Sequence, residues 1–228
     1  MRLLCLFFLL GCSSVFSQEK LQDSVFVATD SLYREDQFYF GITYNQLVNL
    51  PQGLSQNGLS TGFTIGFLRD MPVNKSRTFG FAAGLGLSFL KYHQNLFVTK
   101  NNGNYIYDLL LTTDYEKNKL EQLFLELPFE IRWRNSSPDT HKFFRIYSGF
   151  KMSYLLFSKT KFIGTTTTTL FQNPDFNQFQ FGPYISLGWN TWNVHAYYGL
   201  NPIFKAAKIG ANQIEMRTLN LGFIFYIL

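Results

Sequence analysis

A chain of 228 residues has room for one sizeable domain, and an all-β domain of this length need not be divided. Aromatic residues make up 18% of it and charged residues only 15%, where a water-soluble globule carries about a quarter charged. The net charge of +5 comes with no long basic run and no basic helix, which argues against nucleic acid, and the composition points to a surface that does not lie wholly in water.

The N-terminus reads as an export signal over residues 1–17. Arg2 precedes the apolar run Leu3 to Leu10, and Val15-Phe16-Ser17 suits signal peptidase, so the mature chain is expected to begin at Gln18. A run this short does not cross a bilayer as a mature helix, which needs roughly 20 apolar residues. Leu9-Leu10-Gly11-Cys12 also reads as a lipobox, which would make Cys12 a lipid anchor instead. Under the first reading Cys5 and Cys12 both leave with the signal, and disulfides, Cys metal sites and Cys catalysis leave with them. Residues 18–36 read as a periplasmic extension and 37–228 as the folded domain.

No later apolar segment reaches helical span length, so a membrane protein of this sequence has to enter as strands. Period-two alternation predicts eight of them. Phe38, Phe40, Ile42 and Tyr44 alternate with Tyr39, Gly41, Thr43 and Asn45, and Phe63, Ile65 and Phe67 alternate with Gly62, Thr64 and Gly66. From Thr78 to Leu90 the odd positions are Phe79, Phe81, Ala83, Leu85, Leu87 and Phe89, and the even ones are Gly, Ala or Ser apart from the two ends. In LFLELPFEIRWR (123–134), Leu123, Leu125, Leu127, Phe129, Ile131 and Trp133 oppose Glu126, Glu130, Arg132 and Arg134. The fifth segment sets Phe144, Ile146, Phe150, Met152 and Tyr154 against Arg145, Tyr147, Gly149, Lys151 and Ser153. The last three are Gln178–Trp189, Val194–Leu200 and Leu219–Ile227.

The sequence therefore predicts an all-β fold, an eight-stranded antiparallel up-and-down transmembrane barrel with its apolar face in lipid and a filled polar lumen. Tyr44, Tyr92, Trp133, Trp189 and Trp192 are expected as interfacial aromatics. Long links (49–57, 93–118, 159–175 and 202–215) alternate with short ones (70–77, 135–141 and 190–191), as outer-membrane barrels alternate long extracellular loops with short periplasmic turns. Met71-Pro72-Val73-Asn74 and Ser137-Pro138-Asp139 carry turn chemistry, and Thr165–Thr169 reads as a solvated, β-prone loop edge. Both termini are then expected in the periplasm of a Gram-negative cell.

A barrel of eight strands is wide enough only for side chains, so Glu126, Glu130, Arg132 and Arg134 must pair with one another or with Arg145 and Lys151 as a lumen ion network. Pro128 shares their parity and lacks a strand donor, which predicts a local bulge there. His93, His141 and His195 are too far apart along this barrel to share a metal, and no phosphate loop or nucleophile elbow occurs. No cofactor is predicted. The second long loop, with Leu96, Phe97, Tyr105 and Tyr107, is expected to expose apolar surface, as a hairpin beyond the membrane, as a partner-contact loop, or both.

The Ser17-Gln18 junction, Leu125-Glu126-Leu127-Pro128, Gly199-Leu200-Asn201-Pro202 and the ending Leu221-Gly222-Phe223-Ile224-Phe225-Tyr226-Ile227-Leu228 together resemble the PorT-like outer-membrane β-barrel proteins of the Bacteroidota. The founding member of that family belongs to the type IX secretion machinery, and many relatives are called porin family proteins. The chain departs from the strongest barrel-assembly signal in ending on Leu228 rather than an aromatic residue. The resemblance implies a non-enzymatic outer-membrane protein that docks on, or helps assemble, an envelope complex, in contact with outer-membrane lipid and a protein partner. A lipid-modifying enzyme using Ser88 and His93 is the alternative, followed by a small porin. The alternation itself predicts that the mature chain fractionates with the outer membrane and shifts mobility on gels when unboiled; recovery as a soluble monomer without detergent would contradict it.

Overall fold

The computed structural model describes residues 36–111, 115–135, 144–189 and 191–227. The export signal, Cys12, the extension up to residue 35, the Ser137-Pro138-Asp139 turn and His141 lie outside the described residues. The described strands are β1 (Gln37–Val48), β2 (Thr61–Pro72), β3 (Phe79–His93), β4 (Leu96–Asn101), β5 (Asn104–Leu109), β6 (Tyr115–Arg134), β7 (Phe144–Gly164), β8 (Thr167–Phe171), β9 (Phe179–Trp189), β10 (Trp192–Tyr198), β11 (Lys208–Ile209), β12 (Asn212–Gln213) and β13 (Arg217–Ile227).

Eight of these form a closed antiparallel barrel in the order β6-β3-β2-β1-β13-β10-β9-β7, and β7 pairs back onto β6 to complete the ring. Each of the eight alternating segments of the sequence is one stave. The remaining strands belong to the long links: β8 extends the wall beside the far end of β7, and β4–β5 and β11–β12 are separate hairpins.

The pleat sorts side chains to two faces, as the alternation requires. On β1, Tyr39, Thr43, Asn45 and Leu47 point inward and are buried, while Phe38, Phe40, Ile42 and Tyr44 point outward and are exposed. The outward belt continues around every stave. Phe38 is 61% exposed, Trp189 60% and Trp192 63%. An exposed apolar surface on this scale is untenable in water and is what a lipid-facing wall requires. Trp133, Trp189 and Trp192 stand at the short-turn end of the belt, where Trp192 packs edge-on against Phe223 and Phe225 at 5.9 and 5.3 Å between centroids. Tyr92 does not belong to this girdle. Its even position on β3 turns it inward, where it is fully buried and its hydroxyl bonds Thr218 Oγ1 at 2.7 Å.

The staves β6 and β7 are 20 and 21 residues long, about twice what a tilted strand needs to cross a bilayer. They stay paired from Arg134↔Arg145 to Tyr115↔Gly164, so much of what the sequence marks as the link 159–175 is strand projecting past the lipid. The extra residue Leu156 makes a bulge on β7 opposite Leu123–Phe124. Inward parity moves there from Lys151 and Ser153 to Ser158, Thr160 and Phe162. The bulge predicted at Pro128 does not form. Pro128 pairs in register with Lys151 of β7, and on the β3 side the ladder lapses between Ala83↔Phe129 and Gly86↔Glu126 without a shift. The missing donor is absorbed by a gap in one ladder, which needs no additional residue.

The interior has two tiers. The short-turn half is ionic and aromatic. Toward the long-loop end the links fold inward and build an apolar plug from Leu47, Leu54, Leu90, Tyr92, Leu96, Val98, Tyr107, Leu120, Phe124, Phe176, Ile203, Phe204, Ala207, Ile214 and Met216. Glycine makes room where the lower tier is tightest. Tyr39 lies across Gly66 and Gly86, and a Cβ on Gly86 would stand 2.0 Å from the Tyr39 hydroxyl. Gly86→Val is therefore expected to lower the unfolding midpoint of the barrel in detergent markedly. Adding Tyr39→Ala to that variant should restore part of the loss, and an additive double variant would show that the tyrosine does not set the constraint.

Candidate functional site

In the lipid-facing part of β6, Glu126, Glu130, Arg132 and Arg134 enter the lumen at even positions, one or two pleats apart, because Leu, Phe, Ile and Trp hold the odd ones in lipid. Arg132 is 1% exposed, with Nε and Nη1 paired and Nη2 buried without a hydrogen-bond partner. Its Nε donates to Glu130 Oε2 at 2.7 Å and its Nη1 to Asp70 Oδ1 at 3.1 Å. The guanidinium also lies 4.6 Å from the Tyr147 ring centroid and 5.8 Å from that of Tyr226. Arg134 donates through Nη2 to Asp70 Oδ2 at 2.9 Å and through Nε to the Arg77 carbonyl at 2.8 Å. Glu130 accepts a further bond from the Tyr184 hydroxyl at 2.9 Å. Arg145 sits beside the same aromatic group, 5.9 Å from the Tyr226 ring centroid.

A second pair lies closer to the middle of the barrel. Lys151 Nζ is 2.9 Å from Glu126 Oε1, and the ammonium also lies 4.4 Å from the centre of the Tyr197 ring. His195 and Ser186 face each other on β10 and β9, with Nδ1 and Oγ 2.8 Å apart. Both side chains are buried in the lumen. The space left among Tyr39, Glu126, Lys151, Tyr184 and His195 amounts to about 20 Å³, room for roughly one water.

Asp70 is the charged member of this network that the sequence reading misses, because it falls in the expected short link 70–77. In the structure β2 runs on to Pro72, and Asp70 continues the inward series Gly62, Thr64, Gly66 and Leu68. Extending that alternation by one pleat would have found it. Ser88 and His93, by contrast, are not brought together. Ser88 is buried in the lumen and His93 is on the outward face of the same strand, five residues and roughly 16 Å along it.

At the other end the β4–β5 hairpin closes the plug. Leu96 and Tyr107 are internal, which corrects the expectation that this loop displays its apolar residues. The Tyr107 hydroxyl donates to Asp175 Oδ2 at 2.8 Å and accepts from Asn173 Nδ2 at 2.7 Å. Burial, chiefly, raises the pKa of this phenol well above its ordinary value, with Asp175 adding to the effect and the bond from Asn173 opposing it. The Tyr107 ring meets Phe204 edge-on at 5.4 Å, and Phe204 stacks on Phe176 at 4.5 Å, so three links are sewn into one cap. Phe97 is half-buried against Phe162 at 4.5 Å, and Tyr105 is half-buried with Lys100 over its ring. The hairpin's outward apolar residue is Ile106, 41% exposed.

A closed barrel with a lipid-facing wall and a plugged interior defines an outer-membrane β-barrel protein. The family model described as outer membrane protein beta-barrel domain matches residues 16–205, most of the chain, and the chain belongs to that family. Among solved structures it is similar to Ail, the attachment invasion locus protein of Yersinia pestis, at 11% identity over 84% of this chain and 97% of that one, with a TM-score of 0.36. It also overlaps a porin variant of Rhodopseudomonas blastica at 9% identity over 86% of this chain and 100% of that one, with a TM-score of 0.15. Neither likeness bears on this chain's role. No curated protein matches the sequence.

The ion lattice makes a quantitative demand. Removing one member of a buried pair costs about 3–5 kcal/mol because its partner is left charged and unsatisfied. Asp70→Ala leaves two guanidiniums without their shared carboxylate, whereas Glu126→Ala leaves Lys151 still in contact with Tyr197. Denaturant titration in detergent should rank the loss of stability as Asp70→Ala above Glu126→Ala, with Lys100→Ala on the hairpin near wild type. Equal midpoints for all three would refute the lattice.

Proposed function

We propose that this protein acts by contact, as a non-enzymatic accessory or docking component of a cell-envelope complex, with the long-loop end outside the cell and both termini in the periplasm. The observation that carries the proposal is the double closure of the lumen. One tier is filled by paired charges and aromatic rings, with room left for roughly one water, and the other by an apolar plug. An interior of this kind supports neither conduction nor turnover, which leaves the outer surface and the cap to recognise anything. The resemblance of the Leu125-Glu126-Leu127-Pro128 stave, the Gly199-Leu200-Asn201-Pro202 link and the C-terminal strand to PorT-like barrels supports type IX protein secretion as the setting of that complex.

The cap offers a platform, since its inward side chains pack into the plug and Ile106 points outward. Deleting the hairpin would unseat Leu96, Val98 and Tyr107, so point substitutions on its outer face are the sharper probe. Ile106→Asp is expected to leave the heat-dependent gel shift intact while removing most of the protein that crosslinks and co-purifies from native membranes; unchanged yield of the same proteins would rule out the hairpin as the contact. Residues 36–228 contain no cysteine, so Asn104→Cys reports orientation separately. An impermeant thiol reagent should label it on intact cells, and labelling only after lysis would reverse the proposed topology.

A further inference from the structure

The outward face of three neighbouring staves changes character abruptly at one level. Phe89 of β3, Leu123 of β6 and Phe157 of β7 lie side by side in register, and they form the last complete apolar row of this wall. The next row reads Lys91, Glu121, Lys159, and the one beyond it His93, Lys119, Lys161, with Lys117 one pleat further along β6. Five lysines therefore occupy adjacent outward positions directly past the lipid belt. The carboxylates on this part of the wall are Glu121 and, on the irregular turn of β6 next to Lys117, Glu116. Glu121 is within ion-pair reach of Lys119 and Lys159. Lys91, Lys117 and Lys161 have no carboxylate within salt-bridge distance among the described residues.

The same level of the opposite wall is different. Outward positions there are Tyr44 and Gln46 on β1, Tyr198 on β10 and Leu219 on β13, with Arg217 at the very end of the stave. The positive charge is thus a band on one flank of the barrel and not a uniform collar. Half-burial of Lys91, Lys119, Lys159 and Lys161 fits side chains whose alkyl stems lie along the wall with the ammonium groups at its upper edge. His93 senses the band: burial, then Lys91, Lys117 and Lys119, hold its imidazole below the ordinary pKa, against the opposing pull of Glu121.

We infer that the Lys91–Lys117–Lys161 band on β3, β6 and β7 is a binding site for the phosphate groups of the outer leaflet's phosphorylated glycolipid, seated with its acyl chains on the Phe89–Leu123–Phe157 wall below. The geometry supplies what such a ligand needs in one place: an apolar wall for the chains and, at the adjoining pleat, unneutralised cations at headgroup height. The inference rests on the proposed orientation, which alone puts this flank in the outer leaflet. A neutral headgroup would leave the lysines crowded against one another, and a soluble anionic protein would make no use of the apolar row.

The test uses the full mature barrel in detergent and native mass spectrometry to count bound lipid, with three probes: bisphosphorylated lipid A, the same lipid dephosphorylated, and phosphatidylglycerol. Bisphosphorylated lipid A is expected to bind at least about tenfold more tightly than either of the others. The triple variant K91Q/K117Q/K161Q should lose that preference. A control, K75Q/K205Q/K208Q, removes equal charge elsewhere and should keep it, and the gel shift verifies that both variants fold. Equal binding of phosphatidylglycerol, or retention of the preference in the band variant, overturns the assignment. Because the barrel is in detergent, this result is independent of topology, and labelling of Asn104→Cys on intact cells decides topology by itself.

Discussion

Arg132 is the side chain on which the interior is organised. A guanidinium buried to this degree inside a membrane-embedded wall has no water to answer it, so its charge must be met by protein alone. It draws in Glu130 from its own stave, Asp70 from two staves away and the rings of Tyr147 and Tyr226 from the neighbouring and distant walls. Asp70 then fixes Arg134, and Glu130 fixes Tyr184. One cation therefore ties together β2, β6, β7, β9 and β13, more than half of the ring. Buried ion pairs are weak evidence for stability in themselves, because an apolar interior of equal volume can be as good. Their effect here is on register: a one-residue slip of β6 would carry Glu126, Glu130, Arg132 and Arg134 into lipid.

The two tiers of the lumen follow from where the wall stops being surrounded by lipid. Within the belt the outward positions are committed to apolar residues, and the inward ones are free to be polar provided they pair. Past the belt β6 and β7 continue as a wall outside the lipid, and their interior positions can revert to the ordinary logic of a soluble core, with Leu120 and Phe162 inward. The bulge at Leu156 sits at this transition and resets the facing of β7. The links complete that core from above, and so the cap is an integral part of the fold.

The staves and their faces were legible in the sequence because period two is unambiguous when one side meets lipid. The inward facing of Glu126, Glu130, Arg132 and Arg134 on β6, and of Arg145 and Lys151 on β7, follows from parity alone. Three features escaped for separate reasons. Asp70 sits just before a Met-Pro-containing turn signal, and turn chemistry outweighed an alternation that in fact continued. Tyr92 has the residue type and strand-end position of an interfacial aromatic, but its even position turns it inward. The apolar residues of the β4–β5 hairpin gave a true signal that needed burial, but a strand pattern does not reveal that a loop folds back over its own barrel. Leu96 and Tyr107 find their cover in Phe176, Ile203 and Phe204, residues about seventy to a hundred positions away along the chain.

The central claim is that the barrel is closed, and single-channel recording in planar bilayers addresses it most directly. Wild-type protein, inserted and verified as folded by its heat-dependent mobility, should give no stable conductance steps at any moderate voltage, since both the ion lattice and the apolar plug block the axis. Reproducible ohmic steps from the wild-type barrel would contradict the account and return the protein to the class of pores.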